Sequence, residues 1–159
     1  MRFRQLLEDG QKPFHLPIEL ALVGRQGVDI PGTQKTFQLD EEGAELILEN
    51  ISEAPAFASM HRDYSCYGTF QHENATVEGL TLQTRLDPNS YNRVDAMRQL
   101  TDQQRVRLLL HPDAPIDAHW LELYGNIIGD RSLPSALKAY FLRIDEQPMD
   151  REYSTWYSA

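Results

Sequence analysis

The spacing of apolar residues changes once along this chain, and the change restricts the possible folds more than any other feature of the sequence. Up to about residue 75 apolar residues sit in short alternating runs broken by Gly and Pro, and beyond it they recur every three or four positions. Phe14 to Leu22 is the clearest strand signal: Phe14, Leu16, Ile18, Leu20 and Leu22 share one face, with His15, Pro17, Glu19 and Ala21 on the other. Pro17 brings no ladder donor, which predicts an edge strand. Asp87 to Leu100 carries the opposite grammar. Asp87 is placed to cap a first turn, Pro88 suits the first helical position, and Tyr91, Val94, Met97 and Leu100 fall on one side.

Short strands are also expected at Val28 to Ile30, Thr36 to Leu39, Ala44 to Glu49, Phe57 to Met60 and Tyr64 to Phe70, with Phe3 to Leu7 as the tail of another. Gly24 to Gly27 and Pro31-Gly32 turn the chain between them. Gly24 to Gly27 is no phosphate cradle, which would need more glycine and a following helix. An antiparallel β-sandwich of the immunoglobulin type has seven or more strands in about 100 residues. Residues 1–75 offer about six, so the sandwich is expected to begin upstream of Met1.

From Asn74 or Thr76 the pattern is helical, with Leu80, Leu82 and Leu86 ahead of the helix at Asp87. Thr101 to Gln104 has the form of a capping box, which predicts a helix restart towards Leu108 to Leu110. His111 to Pro115 is a break. Ile116, Trp120, Leu123, Tyr124 and Ile127 form the next stripe, ended by Gly129. A further helix from Ser132 is expected to bury Leu133, Leu137, Phe141 and Ile144, with a weak one from Asp150 to Tyr157 after Pro148. Paired helices with short links read as an α-helical array, and Trp156 and Tyr157 stand where a capping element belongs, so this end also reads as cut short. The class is mixed, β then α: residues 1–75 a β-sandwich domain, residues 76–159 the beginning of an α-helical domain.

With 41% apolar residues, the chain has enough material for a core. Its net charge of −9, spread over both halves, argues against a nucleic-acid partner. No apolar run is long enough to span a bilayer and Met1 to Gln5 lacks the apolar core of a signal peptide, which predicts a cytoplasmic protein. Cys66 is the single cysteine and reads as a buried thiol.

The search for chemistry is negative. His15, His61, His72, His111 and His119 include no pair three or four apart. His72-Glu73 starts like HExxH, but Thr76 stands where the second ligand belongs, and one imidazole does not hold zinc. His15 and His119 read as surface or hydrogen-bonded structural groups. His61 to Cys66 is the densest polar cluster, yet in an extended segment those two residues are about 16 Å apart, which excludes direct pairing with Cys66 or Ser65 as nucleophile. A loop packed against the helical half, with Arg62 or Asp63 in a salt bridge, is the plainer reading. Asp40-Glu41-Glu42 reads as a solvated turn, since no calcium loop surrounds it. No catalytic, substrate-binding or metal residue is assigned.

A family resemblance enters through longer stretches. Gly10 to Leu20 with Gly24 and Gly27 resembles the opening of the β-sandwich domain of bacterial aminopeptidase N, a zinc metallopeptidase of the gluzincin class. Glu53 to Phe57 is similar to the proline segment near the end of that sandwich. Asp87 to Ala96 resembles the aromatic-Asn-Arg-Trp-Glu/Asp-Ala signature that opens its helical C-terminal domain, and Asp130 to Leu137 a later Asp-Pro-Ala-Leu helix start. Val94 departs from the usual Trp, and the expected Phe-Ser-Ala-Pro stretch survives only loosely in Asp63 to Cys66. The family's HExxH helix, its glutamate ligand and its Gly-Ala-Met-Glu-Asn loop belong to earlier domains, so no catalytic residue carries over. The resemblance implies a non-catalytic part of a zinc aminopeptidase. Zinc lies in the parent and not in this chain, the partners are the catalytic and remaining helical domains, and peptides are the parent's substrate. Tyr91 and Val94 are expected at the seam between the halves, with Arg93 and Asp95 available there for an ion pair. A free-standing sandwich and helical module that binds proteins along an edge strand stays open as the alternative, and beside it a small hydrolase using a distant His with Cys66 or Ser65.

Overall fold

The structure, a computed structural model, describes residues 1–68 and 70–144. Five strands come first: β1 (Arg2–Arg4), β2 (Leu16–Val23), β3 (Lys35–Leu39), β4 (Gly43–Glu45) and β5 (Phe57–Met60). They form two antiparallel sheets, β1-β4 and β3-β2-β5. Phe3, Ile18, Leu20 and Leu39 fill the space between the sheets, and the Phe3 and Phe37 rings stack at 4.8 Å. Leu46 and Leu48 reach the same core from beyond β4 while Ile47 points to solvent. The alternation there outlasts the ladder.

β2 corrects the edge-strand expectation, for it lies in the middle of its sheet. Val23 accepts from Ala56 and the Glu19 N–H donates to Ser65 Oγ, so odd-numbered backbone groups face the β5 side. β5 pairs only from Leu20 to Val23. The Pro17 nitrogen therefore faces past the end of β5, where no ladder bond is lost. Phe14 lies outside β2 and is exposed. Its backbone bonds instead with the side-chain amide of buried Gln5, whose Nε2 donates to Phe14 O and whose Oε1 accepts from Phe14 N. Val28 to Ile30 makes a bridge between Asp29 and Val23 rather than a strand.

Among the described residues four helices follow: α1 (Val77–Leu86), α2 (Ser90–Leu110), α3 (Ala118–Gly129) and α4 (Ser135–Phe141). Thr76 caps α1 by accepting from the Gly79 N–H. α1 ends just before Pro88, whose ring disfavours helical geometry in the preceding residue. Asn89, not Asp87, caps α2, accepting from the Asn92 N–H at 3.1 Å. The expected restart at Thr101 is also corrected: α2 runs through it unbroken, because Thr101 Oγ1 turns back to the Met97 carbonyl instead of capping a new turn. Asp117 caps α3.

Leu80, Ala96, Met97, Leu100, Leu123, Ile127 and Phe141 form one helical core. Trp120 and Leu137 pack against it as the stripes predict, whereas Ile116 and Ile144 are exposed. Polar ties hold the helices in register. Trp120 Nε1 donates to Thr101 Oγ1, and His119 Nε2 lies 3.2 Å from Thr81 Oγ1. The helix expected at Asp150 to Tyr157 lies outside the described residues.

Candidate functional site at the domain seam

Ser59 on β5 is fully buried and faces the helical half. Its hydroxyl donates to Asp87 Oδ1 at 2.9 Å and accepts from Arg62 Nε at 2.8 Å and Asn92 Nδ2 at 3.0 Å. One donor and two lone pairs are then all used, so the hub is saturated. Arg62 also grips Asp29 with both terminal nitrogens, at 2.7 and 2.6 Å. These bonds hold the Asp29 carboxyl below the ordinary carboxylate range and push the guanidinium up. Burial pushes Asp87 the other way, upward, against the bonds it receives from the Asn89 N–H, Gln83 and Ser59. Outside the hub, Asn89 Nδ2 donates to Asp63 Oδ1, and a Cβ on Gly27 would lie 2.7 Å from the Leu86 carbonyl oxygen. That close approach, with φ of +73°, accounts for glycine at the tip of the first hairpin.

Tyr91, Asn92 and Arg93 follow one another in the first turn of α2, so a helical step of about 100° sends each to a different neighbour. Tyr91 leans on the sandwich, with ring centroids 5.6 Å from Tyr64 and 6.2 Å from His61. Asn92 donates to Ser59 and to the Met60 carbonyl. Arg93 turns inward, donating to the Thr84 carbonyl and lying 5.4 Å from the Phe141 ring. The seam expectation therefore holds for Tyr91 and, as a lining residue of the cleft beside the hub, for Asp95, while Val94 and the Arg93–Asp95 ion pair need correcting. Val94 packs on the helical core and Arg93 ties α1 to α4, while Asp95 accepts from Gln99 at 2.8 Å. Asn92 and Ser59 carry the seam, and sequence reasoning assigned neither. A buried polar hub has no periodicity to betray it.

Beside the hub lies a cleft of about 240 Å³. His61, Tyr64, Phe70 and Tyr91 form its aromatic wall, and Asn92, Asp95 and Arg98 its polar side. Burial pushes the Asp95 carboxyl up, partly offset by the bond from Gln99 and the charges of Arg98 and His61. The wall exists because His61, Asp63 and Tyr64 take φ of 55°, 52° and 58°, curling the chain where a strand was expected.

The same curl overturns the separation of about 16 Å expected between His61 and Cys66. Nε2 of His61 lies 3.7 Å from Cys66 Sγ and 2.8 Å from the Cys66 carbonyl oxygen. The carbonyl asks for a proton on Nε2 and the Cys66 N–H, 3.3 Å away, asks for a lone pair there, so in either tautomer the Cys66 backbone engages this nitrogen ahead of the more distant thiol. Burial pushes the thiol up as well. Contact is made, but it does not activate a nucleophile, which needs a lowered thiol pKa or a free base. Ser65 Oγ is held by the Glu19 N–H. His15 pairs with Asp40 at 3.0 Å in the open, Asp40 to Glu42 is an exposed bend, and His72 and His111 are exposed. Glu73 and Asn74 lie in a turn before α1, so the HExxH-like run is not helical.

Zinc needs at least three converging donors. Among the described residues no group of three His, Cys, Asp or Glu side chains is arranged for one, and the His61–Cys66 pair has no third. The donor set does not fit the metal. Among the described residues no helix is long and apolar enough to cross a membrane.

Two family models match. Residues 1–73 fit DUF3458, a domain of unknown function with an Ig-like fold, and residues 77–159 fit DUF3458_C, described as ARM repeats. The chain is also similar to the crystal structure of Legionella pneumophila aminopeptidase A in complex with aspartic acid. The TM-score is 0.71 at 22% identity, over 95% of this chain and 18% of that one. No curated protein sequence matches. The architecture is thus an Ig-like domain of antiparallel sheets followed by an ARM-like helical region.

Proposed function

The chain belongs to the family of the DUF3458 Ig-like and DUF3458_C ARM-repeat domains, and from that premise we propose that it is the non-catalytic linking part of a zinc aminopeptidase of the aminopeptidase N type. The sandwich joins a catalytic domain to the helical domain, and the helical domain limits access of peptides to the active site. The observation that carries this reading is the match along 95% of the chain to a segment that makes up 18% of an aminopeptidase. The seam supports it physically. A saturated buried hub fixes the angle between sandwich and helices, as a part that positions other domains requires.

Zinc analysis and an aminoacyl-anilide assay test the proposal on two proteins, this chain and the full gene product that contains it. The chain alone should bind no stoichiometric zinc and give no turnover, and the longer protein should do both. Turnover by the 159-residue chain, or a gene product with no zinc-dependent activity, would overturn it.

A further inference from the structure

The seam cleft brings together in its lining opposite charges and several aromatic rings. Its volume of about 240 Å³ is below the range of sites for drug-sized ligands, so any occupant is small. Asp95 and Arg98 stand one turn apart on α2 and both line it. Tyr91 precedes them on the same helix face and meets Tyr64 of the sandwich at 59° with centroids 5.6 Å apart, and the Phe70 ring lies 5.9 Å from His61. Paired opposite charges select a ligand that is itself doubly charged and neutral overall, and ring surfaces select one with an apolar body.

We propose that this cleft binds a free α-amino acid as its zwitterion, the ammonium against Asp95, the carboxylate against Arg98 and an apolar side chain against Tyr64 and Tyr91. Aromatic faces add to the attraction for the ammonium, and Asp95, already partly desolvated, loses little further hydration when it is covered. Free amino acids are what an aminopeptidase releases, so the cleft would sense product. Only that physiological link rests on the function proposed above. The plainer account of Asp95 and Arg98 is that they serve each other, three residues apart on one helix, and ligand chemistry separates the two.

The 15N-labelled 159-residue chain is titrated with L-phenylalanine, L-phenylalaninamide and N-acetyl-L-phenylalanine while the amide shifts of Tyr64 and Tyr91 are followed. Phenylalanine should saturate at millimolar or lower concentration, and each capped form should bind at least about tenfold more weakly. Asp95→Asn should abolish discrimination against the N-acetyl form alone, and Arg98→Gln that against the amide alone. Equal binding of the three ligands to the unaltered chain, or no saturation by phenylalanine, overturns the proposal, and neither outcome depends on a variant folding. The zinc and anilide assays are unaffected by either result.

Discussion

Met97 in the helical half and Leu20 in the sandwich are both sealed from solvent, but the backbone beneath them is satisfied in different ways. Around Met97 the bonds close within four residues along a 21-residue helix. Around Leu20 they reach to residues 35–39 and 57–60, and farther along β2 single side chains replace strands, Thr33 Oγ1 for Leu22 and Ser65 Oγ for Glu19. A helix is finished locally and needs a neighbour only for its apolar face. A short strand is finished only when distant segments arrive. The sandwich should therefore depend on the seam more than the helices do.

Leu20→Ala and Met97→Ala test this at its largest effect, each expected to cost about 3 kcal/mol from lost burial and the cavity left behind. Both tryptophans of the sequence, Trp120 and Trp156, fall after residue 76, so tryptophan fluorescence reports the helical half. If the seam couples the halves, Leu20→Ala lowers the denaturant midpoint seen by tryptophan as well as by circular dichroism. An unshifted tryptophan midpoint would mean that the halves melt independently.

That asymmetry also decides what the sequence let one read. The α2 and α3 stripes and the order β then α follow from period alone, which is a local property. Helix starts were harder, because Asp87 and Asn89 are equally good caps and tertiary context chose between them. Asp87 was drawn to Ser59 and the Asn89 N–H, leaving Asn89 to accept from Asn92. Strand partners were not legible. Pro17 predicted an edge correctly for its own nitrogen but not for the strand, since β5 covers only the other end. The cleft was hidden for a third reason. Three positive φ values at non-glycine residues bring His61, Tyr64 and Cys66 together, and no propensity signals them.

Ser59→Ala sharpens the comparison with the loss of one oxygen. It leaves Arg62 Nε, Asn92 Nδ2 and Asp87 Oδ1 each short of a buried partner, at about 2 kcal/mol. The sandwich should suffer most, so the midpoint followed by far-ultraviolet strand signal should drop below the tryptophan midpoint. A loss under about 0.5 kcal/mol would mean that the hub is not satisfied as described.

Smaller still is the cap of α2. Asn89→Ala should cost about 1 kcal/mol, because the Asn92 N–H loses its acceptor and the side-chain contact to Asp63 goes with it. Asn89→Asp keeps an acceptor for the first turn but faces Asp63 with like charge, so it should recover only part of the loss. Full recovery would assign Asn89 to the helix alone and remove it from the seam.

The smallest effect is a change of slope with pH, and its sign distinguishes the two carboxyls of the seam. Asp29 is held below the ordinary range by Arg62, so the unfolded chain takes up that proton first as pH falls. Its contribution is complete above the ordinary carboxylate value and is lost as pH falls through the folded one. Asp87, pushed up by burial, has the opposite sign: its contribution is complete below the ordinary value and is lost as pH rises through the folded one. In the unaltered chain the two oppose each other. Asp29→Asn removes the first and leaves the second, so its unfolding midpoint should fall less than that of the unaltered chain between about pH 7 and about pH 3. With the Asp29 side chain 29% open to solvent, screening keeps the difference under about 1 kcal/mol. Parallel curves for the two proteins would mean that the Arg62–Asp29 grip does not persist in solution, and the seam would then rest on the bonds of Ser59 to Asp87 and Asn92, the Asn89–Asp63 contact and the packing of Tyr91.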